Sequence, residues 1–157
     1  MRAAIMRGGR LEVDDLDEPV PGPGQVLVRT LACGICGSDL HALHHAPEMV
    51  AMSEASSPPP GMPAPVLMDP SRDVVMGHEF CAEVVALGDN VGHREGDVVV
   101  SVPVVLDPAG VHPVGYSNAY PGGYAELMVL SDFLCLGVPN GLDPHLAALW
   151  RRHRTHR

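Results

Sequence analysis

Residues 33–41 read CGICGSDLH and residues 77–80 read GHEF. The first stretch offers two thiols, Cys33 and Cys36, with the Ser38 hydroxyl, the Asp39 carboxyl and the His41 imidazole; the second offers His78 and Glu79. Four readings compete for these side chains. A Cys-x-x-Cys redox pair opens a helix in a βαβ setting, where one thiol's pKa is lowered; here the flanking segments are strand-like. A structural zinc site takes four thiolate or imidazole ligands, usually from two such pairs, and there is no second Cys-x-x-Cys. Cysteines at a turn also serve as small buried hydrophobes. A catalytic metal site instead draws a thiolate from a turn, an imidazole from a strand end and a third ligand, and keeps one position open. For that last chemistry, Gly77 before His78 lets the backbone approach closely.

The elements that must position these groups are short. Gly8-Gly9 between two strand-like runs predicts a hairpin. A Pro/Gly-punctuated loop then leads into a strand from Gln25 to Leu31, where Val26 and Val28 alternate with Leu27 and Arg29. After the cysteine turn, SDLHALHH predicts a short helix with Ser38 or Asp39 as its N-cap. Residues 46–73, with three consecutive prolines, read as an irregular surface insertion. The chain resumes in a strand that places Cys81, Glu83 and Val85 on one face, followed by EGDVVVSVPVV, a loop over 107–122, GGYAELMVL and FLCLGVP. Asp143 and Pro144 cap a last helix.

Composition agrees with that outline. The 157 residues suffice for one domain, and hydrophobic residues make up 46% of them, with mean hydropathy +0.11. Glycine (17) and proline (16) against 4% aromatics favour short strands and tight turns. The formal charge is −9, all ten basic residues are arginine, and four of them lie in the tail RRHRTHR. An acidic body repels nucleic acid and anionic membranes, so neither is expected as a partner. No apolar run approaches the ~20 residues of a membrane span, and no export signal is visible, which makes the cytoplasm the expected location. There the four cysteines are not a disulfide framework. The order of short strands with little helix predicts a mainly β fold, a barrel or sandwich. No G-x-G-x-x-G or Walker loop occurs.

CGICGSDLH and GHEFCAEVVALGDNV together resemble the zinc-dependent medium-chain alcohol dehydrogenases, and the likeness extends over RAAIMRGGRLEVDDLDEPVPGPGQVLVRTLAC, REGDVVV and GGYAELMVL. The resemblance implies a GroES-like, partly open β-barrel over residues 1–149, carrying one catalytic zinc, with the 46–73 stretch inserted. By the same resemblance Cys36 is the zinc thiolate and His78 its imidazole ligand, while Cys33 packs. Glu79 matches an acidic neighbour of the zinc that serves either just outside the ligand shell or as an exchanging ligand. Ser38 matches the hydroxyl that takes the alcohol proton, His41 a relay histidine, and Asp39 the carboxylate that orients His78. A small alcohol or polyol is the implied substrate and NAD or NADP the implied hydride acceptor. Zinc brings bound water to a pKa of roughly 7 and acidifies an alcohol in the same way.

The sequence departs from that family in three places. The region 104–124 contains none of the four cysteines that hold a second, structural zinc in many members, and His112 alone does not replace them. The helix after GLDPHLAAL lacks the expected third ligand, and His153 and His156 are not placed by the pattern. The likeness stops near Leu149, so residues 150–157 read as a non-family tail, as from a shifted frame or early stop, with the cofactor domain absent. Negligible dehydrogenase activity is therefore expected of the 157 residues alone. The competing expectation is a non-catalytic β-barrel fragment that binds zinc weakly or not at all. Cys81 and Cys135 are expected in the core, and His44, His45, His93, His112 and His145 in solvent.

Overall fold

The computed structural model describes residues 1–56, 58, 60, 61 and 63–149; the tail expected over 150–157 lies outside them. Ten short strands and two α-helices are present among the described residues. Strands β1 (Arg2–Arg7) and β2 (Arg10–Asp15) form the expected hairpin, turned by Gly8 and Gly9, both with positive φ. With β4 (Val74–Val75) they make a sheet ordered β2-β1-β4. A second sheet, β10-β6-β5-β3-β9, combines β3 (Gln25–Cys33), β5 (Phe80–Leu87), β6 (Val98–Ser101), β9 (Leu127–Ser131) and β10 (Cys135–Gly137). A separate hairpin, β7 (Val104–Asp107) with β8 (Gly110–Pro113), covers it. The architecture is mainly β, a partly open barrel.

Period-two alternation decides the faces. Val26, Val28, Phe80, Ala82 and Val84 point inward and pack with Val99, Val105, Met128 and Leu130. On the outer face Cys81 is fully buried with Ala32 beneath Ala147 and Ala148 of α2 (Pro144–Ala148), a helix capped by Asp143 as expected. Glu83 lies on that same outer face and pairs with Arg29 at 2.8 Å.

Several expectations are corrected. Helix α1 runs from Gly37 to Ala55, so the first ten residues of the stretch expected to be irregular are helical. Pro47 lies inside it, and the backbone breaks from helical geometry at His45, as the missing proline N–H and its ring clash require. The helix continues because Ala42 and Ala46 are buried and Met49 and Val50 partly so, against Met6, Met68 and Met76. Its N-cap is Cys36, not Ser38 or Asp39; Asp39 is the third helical residue and accepts the Cys36 amide at 2.9 Å.

The segment expected as a loop over 107–122 begins in the β7–β8 hairpin. Asp107 builds its turn by accepting the amides of Ala109 and Gly110. The same carboxylate accepts from His112 Nε2 at 2.9 Å and from the Tyr120 hydroxyl at 2.8 Å. His112 is thus buried, not solvent-facing, and His93 bonds Asp132 at 2.7 Å. His44, His45 and His145 are exposed as expected.

These carboxylates make stability pH-dependent. Burial pushes Asp107 up, but the bonds from Tyr120, His112 and two amides outweigh it and hold the group below its ordinary value. For Asp132, burial is likewise outweighed, by the Gly92 amide and by His93. A carboxyl whose folded-state pKa is depressed contributes stability above its unfolded value of about 3.9 and loses it as pH falls through the folded value. The share of stability supplied by these two carboxylates is therefore expected to stay level from pH 7 to about 5 and to fall steeply below about 4. Asp107→Asn should already have a lower melting temperature at pH 7 and a shallower acid limb; identical profiles would contradict this role.

Candidate metal centre

Antiparallel pairing of β3 with β5 ends at Cys33 opposite Phe80, with a bulge between Thr30 and Ala32. That register carries the turn after β3 onto the residues before β5, where the Gly34 amide donates to the Glu79 carbonyl at 2.7 Å. Residues 45 apart in sequence are joined there. Gly77 has φ +94, and a Cβ on it would lie 2.7 Å from Tyr124 and 2.9 Å from the Cys33 sulfur. Only glycine fits that junction.

Around it Cys36, His78 and Glu79 each offer a ligand atom, and these atoms all lie within 4.8 Å of one another. The three form the one such trio among the described residues. Sulfur, imidazole nitrogen and carboxylate oxygen are zinc's ordinary donors, and a tetrahedral shell at zinc bond lengths spaces them roughly 3.5 Å apart. Contraction of about 1 Å by half-buried side chains suffices, so the donor set fits. The Ser38 hydroxyl and amide, then His78, draw the Cys36 thiol below its ordinary pKa, which favours the thiolate a metal needs. Cys33 is the opposite case: burial pushes its thiol up to about 12, and it packs between Gly77 and Gly123.

Asp39 organises the trio from below. It is 1% exposed and accepts four hydrogen bonds, from the Cys36 amide (2.9 Å), His78 Nδ1 (3.2 Å), the Tyr124 hydroxyl (3.1 Å) and the Tyr116 hydroxyl (3.3 Å). Burial pushes its carboxyl up, but the bonds from His78, the Cys36 amide and Tyr124 outweigh it, and the carboxylate is held below its ordinary range. The Asp39 bond in turn raises the His78 pKa. With Nδ1 directed at Asp39, Nε2 faces the site, 3.4 Å from the Ser38 hydroxyl.

Ser38 therefore touches both the imidazole and, through the Cys36 interaction, the thiol side of the trio. His41 is exposed on α1 and borders a cavity of about 660 Å³ with Met49, Met52 and Val111. No hydrogen bond joins His41 to Ser38 among the described residues, so the geometry leaves its relay role unassigned.

Two residues that sequence reasoning passed over belong to this centre. Tyr116 and Tyr124 aim their hydroxyls at Asp39 from the loop after β8, and the Tyr116 ring lies 5.3 Å from the His78 ring, tilted by 41°. Burial raises both phenols well above the ordinary tyrosine value, and the Asp39 charge adds to it, so they remain donors. No local pattern marks them, because their partners are 77 and 85 residues away. Tyr116→Phe keeps the ring and removes one donor. Zinc affinity should fall by roughly 10–100-fold, as for other groups that orient a ligand, with melting temperature nearly unchanged. A chelator competition titration giving equal affinities would contradict this.

Residues 22–140 match the alcohol dehydrogenase GroES-like domain family. Over 124 residues the chain is 37% identical to an (R,R)-butanediol dehydrogenase of Neisseria gonorrhoeae, covering 76% of this chain and 32% of that protein. It is 32% identical to an uncharacterized zinc-type alcohol dehydrogenase-like protein of Escherichia coli, over 91% of this chain and 41% of that one. Among solved structures, acetophenone reductase of Geotrichum candidum in complex with NAD superposes with a TM-score of 0.67 at 25% identity, over 94% of this chain and 42% of that chain. The chain thus spans about a third to two-fifths of the length of the curated relatives it matches.

Proposed function

The chain belongs to the alcohol dehydrogenase GroES-like domain family, and on that premise we propose that it carries the zinc-binding half of an NAD(P)-linked alcohol dehydrogenase site. The substrate class is a small alcohol or diol, in keeping with the butanediol dehydrogenase it resembles. The observation that carries the reading is the convergence of Cys36, His78 and Glu79 within 4.8 Å.

Cys36 and His78 would hold the ion, with Glu79 as the third, exchanging donor. Zinc in such a three-ligand site makes an alcohol a far stronger acid, as it brings water to a pKa of roughly 7. Asp39 fixes the His78 ring so that Nε2 is presented to the site. Ser38, within reach of that nitrogen, accepts the alcohol proton through its hydroxyl and hands its own proton on. His41, one turn further along α1, releases the proton to water. NAD or NADP, when bound, would supply the acceptor for the hydride of the carbinol carbon. No dinucleotide-binding loop occurs within the 157 residues, so the chain alone should show no NAD(P)-linked oxidation.

Metal analysis of the purified chain tests the reading. About one tightly held zinc per chain is expected at low free zinc. Folded protein that stays metal-free on dialysis against zinc would instead favour a non-catalytic barrel.

A further inference from the structure

Helix α1 holds a second group of metal-binding side chains that the centre above does not use. His41 and His45 are four residues apart and both exposed, with ring centroids 5.0 Å apart and planes tilted by 33°. Two imidazoles on one ion, at metal–nitrogen distances of about 2.0–2.1 Å and a near-tetrahedral angle, have centroids roughly 5 Å apart. The ring centroids of the pair are at the separation that a chelate requires. Glu48 adds a carboxylate: its Oε1 lies 3.8 Å from His45 Nδ1, against roughly 3.4 Å for two such donors on a tetrahedral ion. The donors of the three side chains do not all lie within 4.8 Å of one another as those of the first centre do, but all three are exposed, so bringing them onto one ion takes rotamer changes and leaves the core untouched.

We propose that His41, His45 and Glu48 form a second site for a borderline transition-metal ion such as Zn²⁺ or Ni²⁺, separate from Cys36, His78 and Glu79. Imidazole with a single carboxylate suits those ions and gives little hold on Mg²⁺ or Ca²⁺. With no thiolate and with its ligands in water, this site binds more weakly than the first. An ion there also ties up His41 and slows proton release; that consequence rests on the relay reading, whereas the site itself does not.

Equilibrium dialysis of the full chain against zinc chloride, followed by metal analysis, tests the proposal. The wild type should take up a second, weaker equivalent, and His45→Ala and His45→Ala/Glu48→Gln should lose only that one. His153→Ala/His156→Ala should keep both, and Cys36→Ala/His78→Ala should keep the weaker alone. Nickel chloride should broaden the His41 and His45 Cε1 proton resonances together, and in His45→Ala the His41 broadening should disappear. A wild type with a single equivalent would overturn the proposal. So would a weaker equivalent that survives in His45→Ala or vanishes in His153→Ala/His156→Ala. Retention of the tight equivalent in the Cys36→Ala/His78→Ala variant would count against the first centre and not against this one.

Discussion

Asp39→Ala is expected to destabilise the metal-free protein by roughly 3 kcal/mol or more, since it strips a buried charged acceptor from several donors at once. The Cys36 amide, His78 Nδ1 and the two tyrosine hydroxyls all converge on this carboxylate. Their new environment offers no replacement, because Asp39 is 1% exposed. For a domain of this size the loss corresponds to a fall in melting temperature of about 6–12 °C. It is a large share of a total stability of about 5–15 kcal/mol. Asp39→Asn separates charge from shape. Its amide N–H₂ faces donors instead of accepting from them, so it should recover little of the loss. Thermal unfolding of both variants without metal checks this, and a melting temperature within about 2 °C of wild type would show that the four bonds contribute little.

Cys36→Ala should abolish tight zinc binding while leaving the fold in place. The thiol is the softest and best-activated donor of the trio, drawn below its ordinary pKa by Ser38 and His78. A group that merely orients a ligand is worth 10–100-fold in affinity, so removing the ligand should cost at least the upper end of that range. Cys36→Ala keeps the half of the N-cap in which Asp39 accepts the Cys36 amide and loses the half in which the sulfur accepts a helix amide, a cost of about 1 kcal/mol that leaves the fold in place. At zinc concentrations that fill only the tight site, zinc should consequently raise the melting temperature of the wild type and leave the variant unmoved. A free concentration of a hundred times Kd is worth about 2.7 kcal/mol. Equal stabilisation of both proteins by zinc would place the ion elsewhere.

Much of the fold is legible in the sequence because its local signals are strong. The Gly8-Gly9 hairpin, the alternation of Val26 and Val28, and the Asp143–Pro144 helix start are each written within a few residues. The union of Cys36 with His78 and Glu79 was not readable from spacing; it came from resemblance, since strand register is a property of pairing and not of either strand. Helix α1 was cut short in the reading because Pro47 and the prolines beyond it outweighed a quieter signal. Ala42, Ala46, Met49 and Val50 recur at helical spacing and bury against methionines that only the fold brings near. The β7–β8 hairpin had a signal too, Asp-Pro-Ala-Gly between two apolar runs. His93 with Asp132, and the tyrosines on Asp39, had none, since each pair spans 39 residues or more.

X-ray absorption spectroscopy at the zinc edge, on the wild-type chain loaded with one equivalent, reaches the central claim most directly. A first shell with one sulfur at about 2.3 Å and the rest nitrogen or oxygen at about 2.0–2.2 Å is the expected result, with the sulfur absent in Cys36→Ala. A shell with no sulfur, or with the same sulfur in the variant, would contradict it.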